Sequence, residues 1–495
     1  MASSPVLTAA PPAGRVAELD LQRLERHVSS AVEGIWAKID AFSHELPVDA
    51  NDPGSRRISA FRIAEIEEEM KAVGNDIADL HALVARHAAE KTHDAAARVD
   101  ALHSDVSLYA ETFLVLLSDL YARARRVKSN REGGDAVWVP PETFERKTTK
   151  YWVRHADILR VKLEIIRNLP LLIFGRKQGA KEAAAPSSVN KNNHSKTKKL
   201  LFTTSEQEVL KDSQKISSVY FDTPELDVYH TRLMRHDGAS LLRVRWYGER
   251  PPPRDAPDYA CFVERKIHRE FWTGEKSVKE RCSVEQQYLT SVLFKGELPP
   301  TIQRGDAHAS FLREVQAFLT KKGERQTAMV RTQYMRSAFQ EATNNAVRIS
   351  IDTDLKMIKE LNAPRKGGDW CRSADANAGS GGGGGGDVVD FPYAVLEVKL
   401  QDEPAAWVET LTKGGMLIAV PKFSKFQHGM ALLYGSKTRN SPWWFLPDNE
   451  GGMSPATFEE MADSRDPYLA QANPCMFDGW DGRPQEGGEG GGWRL

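Results

Sequence analysis

Residues 259–281 carry the densest chemistry of the 495-residue chain, centred on Val-Glu-Arg-Lys-Ile-His-Arg-Glu at 263–270. Alternate residues of a β-strand share a face. Glu264, Lys266, His268 and Glu270 would therefore project together, with Val263, Ile267 and Phe271 on the other side. Trp272-Thr-Gly-Glu275 reads as a turn, after which Lys279 and Arg281 again fall on one face. A hairpin of this kind, standing alone, is a solvated sheet face with an unusual load of charge. It does not stand alone.

The period-two pattern recurs along the chain. In Ser240–Tyr247, Arg243, Arg245 and Tyr247 alternate with Leu242, Val244 and Trp246. Phe144, Thr148, Lys150 and Trp152 share one face of an earlier strand. Tyr334 and Arg336 lie in a strand at 333–339, Arg348 in one at 345–354, and Glu397 aligns with Lys399 at 391–400. Ile216–Asp222 is a further strand, and Val420-Pro-Lys-Phe-Ser-Lys-Phe426 precedes a short helix. About eight strands would close into a barrel whose interior holds side chains or one slim ligand. Buried unpaired cations are costly, so a bore lined by Arg and Lys demands a polyanion. Arg offers fixed forks to phosphate oxygens and Lys offers point charges. The guest that suits a narrow cationic bore best is a linear chain of phosphates.

The elements around these strands read as α+β. Leu21, Leu24, Val28, Val32, Ile35, Ile39, Phe42 and Leu46 recur at spacings of three and four, the stripe of one long helix. A second stripe runs from Ile63 to Val84 and a third from Val99 through Phe113 and Leu116 to Leu120. Three such helices with short breaks predict an antiparallel bundle over 17–130. Pro140-Pro141 marks the boundary to the strand-rich part at 138–435, in which 156–168 and 285–322 read as helical. Residues 1–16, polar insertions at 176–199 and 366–388, and the tail at 436–495 read as mostly disordered.

Bulk properties exclude several classes. A formal charge of -1 and a pI near 6.9 argue against a whole-protein nucleic-acid binder. Cys261, Cys282, Cys371 and Cys475 form no CxxC pair, which fits reduced thiols better than a disulfide frame or a zinc site. The N-terminus lacks the regions of a signal peptide. No apolar run approaches the ~20 residues of a membrane helix, the nearest being Leu169–Phe174.

Five phrases resemble the catalytic core of the vacuolar transporter chaperone (VTC) family, among the triphosphate tunnel metalloenzymes. They are Phe-Glu-Arg-Lys-Thr-Thr-Lys-Tyr-Trp-Val, Leu-Arg-Val-Arg-Trp-Tyr-Gly, Val-Glu-Arg-Lys-Ile-His-Arg-Glu, Phe-Pro-Tyr-Ala-Val-Leu-Glu-Val-Lys and Val-Pro-Lys-Phe-Ser-Lys-Phe. The resemblance implies an antiparallel eight-stranded β-barrel that makes inorganic polyphosphate from ATP. By motif, Lys150, Arg243, Arg245, Lys266, Lys279 and Lys425 would line the tunnel as catalytic residues, with Tyr334, Arg336, Arg348, Lys422 and Ser424 as further phosphate ligands. Glu397 would hold the Mn²⁺ (or Mg²⁺). The expected partners are ATP, polyphosphate and other VTC-type membrane subunits, at the cytosolic face of a vacuole or acidocalcisome. Glu68-Glu-Met-Lys-Ala-Val-Gly-Asn-Asp-Ile-Ala-Asp-Leu80 and Leu108-Tyr-Ala-Glu-Thr-Phe-Leu-Val-Leu-Leu-Ser-Asp-Leu120 resemble the later helices of SPX domains, which bind phosphate-rich inositol signals through a lysine cluster. That cluster is replaced here by Val84-Ala-Arg-His-Ala-Ala-Glu-Lys91, so we expect a structural or docking role for the bundle rather than inositol pyrophosphate sensing. The family's catalytic subunit usually ends in a membrane domain. None follows residues 479–495, so the expectation is either a fragment or membrane attachment through partners. Two other readings share these residue types: a tunnel-type triphosphatase, in which water attacks, and a non-catalytic polyphosphate-binding accessory subunit.

Overall fold

The computed structural model describes residues 13–47, 58–89, 96–131, 147–173, 210–251, 255–269, 277–303, 305–321, 325–341, 346–363, 370–372, 387–401, 404–442 and 444–445. The Trp272–Glu275 turn, Phe144, the 176–199 insertion, most of the 366–388 stretch and the tail beyond 445 lie outside these residues.

Three helices open the fold: α1 (Ala13–Glu45), α2 (Ala60–Ala89) and α3 (Ala96–Arg131). Their buried residues are the stripes read from the sequence, Leu21 to Phe42 on α1, with Leu46 just past its end, and Ile63 to Val84 on α2. On α3 the stripe shifts by one residue near its middle, where Leu117 rather than Leu116 is fully buried. The bundle does not stand apart. Its core runs on into Val161, Ile165 and Ile166 of α4 (Ile158–Ile166) and into the sheet. Arg125 of α3 donates from Nη1 to the carbonyls of Ile166 and Arg167, 3.1 and 2.9 Å away. Those carbonyls lie at the end of α4, where helical partners run out and a cation is favoured.

The strands are β1 (Lys147–Val153), β2 (Gln214–Asp222), β3 (Ser240–Tyr247), β4 (Ala260–Ile267), β5 (Val278–Glu285), β6 (Thr327–Gln340), β7 (Val347–Lys359), β8 (Val388–Asp390), β9 (Ala394–Leu400) and β10 (Leu417–Ala419). They form one antiparallel sheet in the order β10-β1-β9-β7-β6-β2-β3-β4-β5, with β8 on β7. The expected eight-stranded closed barrel is therefore corrected to an open ten-stranded sheet: among the described residues no hydrogen-bond ladder joins β5 to β1 or β10. β8 and β10 are three residues each, too short to show an alternation. The region read as one helical stretch at 285–322 is two helices, α6 (Leu289–Phe294) and α7 (Ala307–Thr320), after α5 (Asp227–Leu233). Two more follow: α8 (Ala406–Lys413) and α9 (Lys425–Leu433).

One face of the sheet is apolar and covered. Leu242, Val244, Trp246, Val263 and Val284 pack with Leu289, Val292, Phe311, Leu312 and Val315 of α6 and α7. Trp370 and Cys371, inside the stretch read as an insertion, belong to the same core. At the other flank Ile349, Ile351, Leu396 and Val398 pack against α4 and the bundle. A slip of one residue would exchange the two faces of a strand, driving Arg243 and Arg245 into this core. Register is thereby fixed, and the charged side chains are left on the opposite face.

Candidate functional site

Cross-strand partners point to the same side of a sheet, so the ladder shows which charges meet. Lys150 stands opposite Glu397, and Glu397 opposite Ser350. Arg336 is opposite Asp352. Ser218 faces Arg245, and Tyr220 faces Arg243. Arg243 is opposite Glu264, Glu264 opposite Arg281, and Lys266 opposite Lys279. Lys150, Arg243, Arg245, Lys266, Lys279, Tyr334, Arg336, Arg348 and Glu397 thus all lie on one face.

Three carboxylates tie this row together. Glu264 is 1% exposed; its Oε2 accepts from Arg243 Nε at 2.7 Å, and its Oε1 pairs with Lys279 Nζ at 3.1 Å and Arg281 Nε at 3.4 Å. Asp352 takes the Arg336 guanidinium in a two-pronged contact of 2.5 and 2.7 Å and the Lys425 ammonium at 2.6 Å. Glu397 pairs with Lys399 at 3.3 Å. Burial alone would raise all three pKa values, but the neighbouring cations win. Arg243, Arg245 and Lys279 bring Glu264 down to about 2, and Lys150 and Lys399 bring Glu397 to about 2. Arg336 and Lys425 hold Asp352 well below the usual carboxylate range. Glu264 and Asp352 are closed off at 1% and 2% exposure, whereas Glu397 keeps 21% open.

Strands β1 and β4 approach each other across the charged face. Five strands separate β1 from β4 in hydrogen-bond order, which in a flat sheet means about 30 Å. Charges that far apart are screened at physiological salt, where the Debye length is ~8 Å. Yet Lys266 on β4 is held well below the usual lysine value, first by desolvation, then by Arg243 and by Lys150 on β1, while Glu397 on β9 acts in the opposite sense. The sheet is therefore curled, with the cations on its concave side. Lys266 is reached by water but from within a groove walled by protein, so it is incompletely solvated.

Lys425 arrives on a different element. It is the first residue of α9, which lies so close to the sheet that a Cβ on Gly429 would come within 3.0 Å of Val330 and 3.3 Å of Met357. Lys425 Nζ sits 4.9 Å above the Tyr334 ring. Ser424 caps the helix, its hydroxyl accepting from the Gln427 amide at 3.4 Å. Lys422 occupies the preceding turn with φ 61°, exposed to water. Arg348 is opposite Lys399, exposed and without an ion pair among the described residues. Lys150 donates to the Phe423 carbonyl, and burial lowers its pKa despite Glu397. Beyond Lys150 the face turns aromatic: Trp152 contacts Phe391, Tyr393 and Phe423 at ring distances of 5.1 to 5.3 Å.

Sequence reasoning placed Glu264 and Arg281 on the charged faces without assigning them roles, and missed Asp352, Tyr220 and Ser218. Ser218 accepts from Arg245 Nε at 2.9 Å, and Tyr334 accepts from its Nη2 at 3.2 Å. The signal for these residues is cross-strand pairing, which needs the register. Among the described residues no three His, Cys, Asp or Glu converge into a metal cage. Glu397 fits a divalent ion in another way, as one open carboxylate whose ion takes its remaining ligands from phosphate and water, a habit of Mg²⁺.

The site is thus a groove on the concave face of a curled antiparallel sheet, lined by interlocked cations. The chain belongs to the VTC domain family, which matches residues 145–434. It is 33% identical over 365 residues to vacuolar transporter chaperone complex subunit 4 of Schizosaccharomyces pombe, across 70% of this chain and 45% of that protein. Subunit 4 of Trypanosoma cruzi is 33% identical over 354 residues, 66% of this chain and 40% of its own length. Subunit 2 of Saccharomyces cerevisiae is 28% identical over 353 residues, 61% and 42% respectively. The chain spans less than half the length of these relatives. No helix among the described residues is long and apolar enough to cross a membrane.

Proposed function

We propose that this chain is an ATP-dependent polyphosphate polymerase, transferring the γ-phosphate of ATP to a growing polyphosphate chain and releasing ADP. The observation that carries this reading is the convergence of cations from β1, β6, β9 and α9 on one open carboxylate, Glu397, on the same face as Arg243, Arg245 and Lys266. A groove of that kind suits a linear row of phosphates. Subunit 4 relatives are more similar to this chain than subunit 2 relatives, which favours the catalytic over the accessory reading.

The chemistry asks little covalent work of the protein. An oxygen of the terminal phosphate bonds to the γ-phosphorus, the bond from that phosphorus to the β–γ bridging oxygen breaks, and ADP departs with the electron pair. The nucleophile is already an anion, so no general base is needed. Arg243 and Arg245 present fixed guanidinium forks, held by Glu264, Tyr220, Ser218 and Tyr334. Lys150, Lys266, Lys279 and Lys425 add point charges, with Arg336, Arg348, Lys422 and Ser424 as further phosphate contacts. Such preorganised charge is the main source of rate in phosphoryl transfer. Glu397 would hold Mn²⁺ or Mg²⁺, which when bound neutralises charge on the bridging oxygens. We place the protein with other VTC subunits at the cytosolic face of a vacuole or acidocalcisome. Incubation of the protein with ATP and Mn²⁺ tests the reading: long polymer with ADP supports it. Free phosphate alone points to a triphosphatase, and no turnover to an accessory subunit.

A further inference from the structure

Lys266 on β4 and Lys279 on β5 stand directly opposite each other, and like charges so placed destabilise a sheet. Glu264 is the next residue along the same face, directly opposite Arg281 and diagonal to Lys279. Lys279 is 46% exposed, and Glu264, at 3.1 Å, is its one ion-pair partner among the described residues. Lys266 has no ion pair among them. Arg243 is different: it is 11% exposed, bound to Glu264 and held a second time by the Tyr220 hydroxyl at 3.2 Å. One of the three cations on Glu264 is thus locked in place. Lys279 hangs by a single half-solvated contact beside a cation that repels it, on a flexible four-carbon stem.

We propose that Glu264 is a parking site for Lys279. In the empty groove the carboxylate draws the Lys279 ammonium away from Lys266. An incoming phosphate chain bridges the two lysines and takes Lys279 over. Glu264 is then a positioning residue that competes with the polyanion for Lys279 and so sets how tightly the groove holds its guest. This rests on the phosphate-binding reading of the groove, not on polymerisation.

Tripolyphosphate binding, measured by calorimetry without ATP, tests it through a double-mutant cycle. Glu264→Gln should bind tripolyphosphate roughly twofold to fivefold more tightly than the native protein, the worth of one partly exposed ion pair removed as competitor. On a Lys279→Met background the same substitution should give less than half that gain. Unchanged or weaker binding by Glu264→Gln, or a full gain without Lys279, overturns the proposal. Should Glu264→Gln fail to fold, Glu264→Asp, which withdraws the carboxylate from Lys279 but keeps its charge, must show a gain of the same sign. A native protein that binds no tripolyphosphate removes the phosphate reading, and this inference falls with it.

Discussion

Lys266 on β4 and Lys150 on β1 lie in each other's field, although five strands separate them in the sheet. Two ammonium groups brought together in this way raise the energy of the empty protein. Under the proposed function that cost is recovered when a polyanion lies between them.

Lys266→Ala should therefore abolish polymer synthesis while leaving the melting temperature unchanged or raised, because repulsion by Lys279, Lys150 and Arg243 is relieved. Arg245→Ala should abolish synthesis too, but at a cost of about 1–3 kcal/mol, since Ser218 and Tyr334 lose the guanidinium between them. Polymer yield and thermal melts on both variants check this. Undiminished yield from both would refute the site.

Asp352→Asn should be among the most damaging single changes. It leaves Arg336 and Lys425, at 21% and 14% exposure, without their shared counter-charge. Breaking a buried ion pair on one side costs about 3–5 kcal/mol. Urea unfolding would show the loss, and a shift under 1 kcal/mol, the ceiling of an ordinary surface pair, would count against the network.

Acid should weaken the fold in two overlapping windows. Burial pushes His428 down to about 3, and Trp444 Nε1 donates to its Nδ1 at 3.2 Å, which requires the neutral ring. The unfolded chain binds this proton below about 6.5 while the folded protein refuses it, so stability falls as pH drops from there toward 3. Glu264 and Glu397, held to about 2, act as depressed carboxylates: their contribution is complete above about 4.5 and is lost as pH falls toward 2. His428→Gln should lessen the fall in melting temperature between pH 6.5 and 4.5, where His428 acts without Glu264 and Glu397, and reduce without abolishing the fall below pH 4.5. An unchanged upper slope would contradict the assignment.

Gly429→Ala should act on the site from a distance. Its added methyl meets Val330 at 3.0 Å and Met357 at 3.3 Å, forcing α9 outward with Lys425 at its head. The expected result is a drop in tripolyphosphate affinity together with a loss of about 1–3 kcal/mol from overpacking. Stability lost without a change in affinity would mean that Lys425 follows the helix without consequence.

Arg348→Ala offers a contrast. An exposed guanidinium with no ion pair among the described residues contributes little to the fold, so its loss should weaken tripolyphosphate binding without moving the melting temperature. A lowered melting temperature would show that Arg348 is held by the fold after all.

Much of this was written in local spacing. The three- and four-residue stripes of the bundle appear in the structure with a one-residue shift on α3. The period-two rows put Lys150, Arg243, Arg245, Lys266, Lys279, Arg336 and Glu397 on one face, because side-chain direction in a strand depends only on parity. What parity could not say is which face would be concave. The helices α4, α6, α7 and the bundle decide that, by covering the apolar side. Nor could it say that Glu264 and Asp352 would each clamp several cations, since their partners come from strands 15 to 21 residues away for Glu264 and 16 for Arg336, with Lys425 a further 73 along. The expected barrel closure failed for a related reason: closure is a matter of how edge strands meet, and no strand carries that information alone. The sequence by itself determined which side chains share a face; only the curl of the sheet, imposed by its covered outer side, decided that those side chains confront one another across a groove.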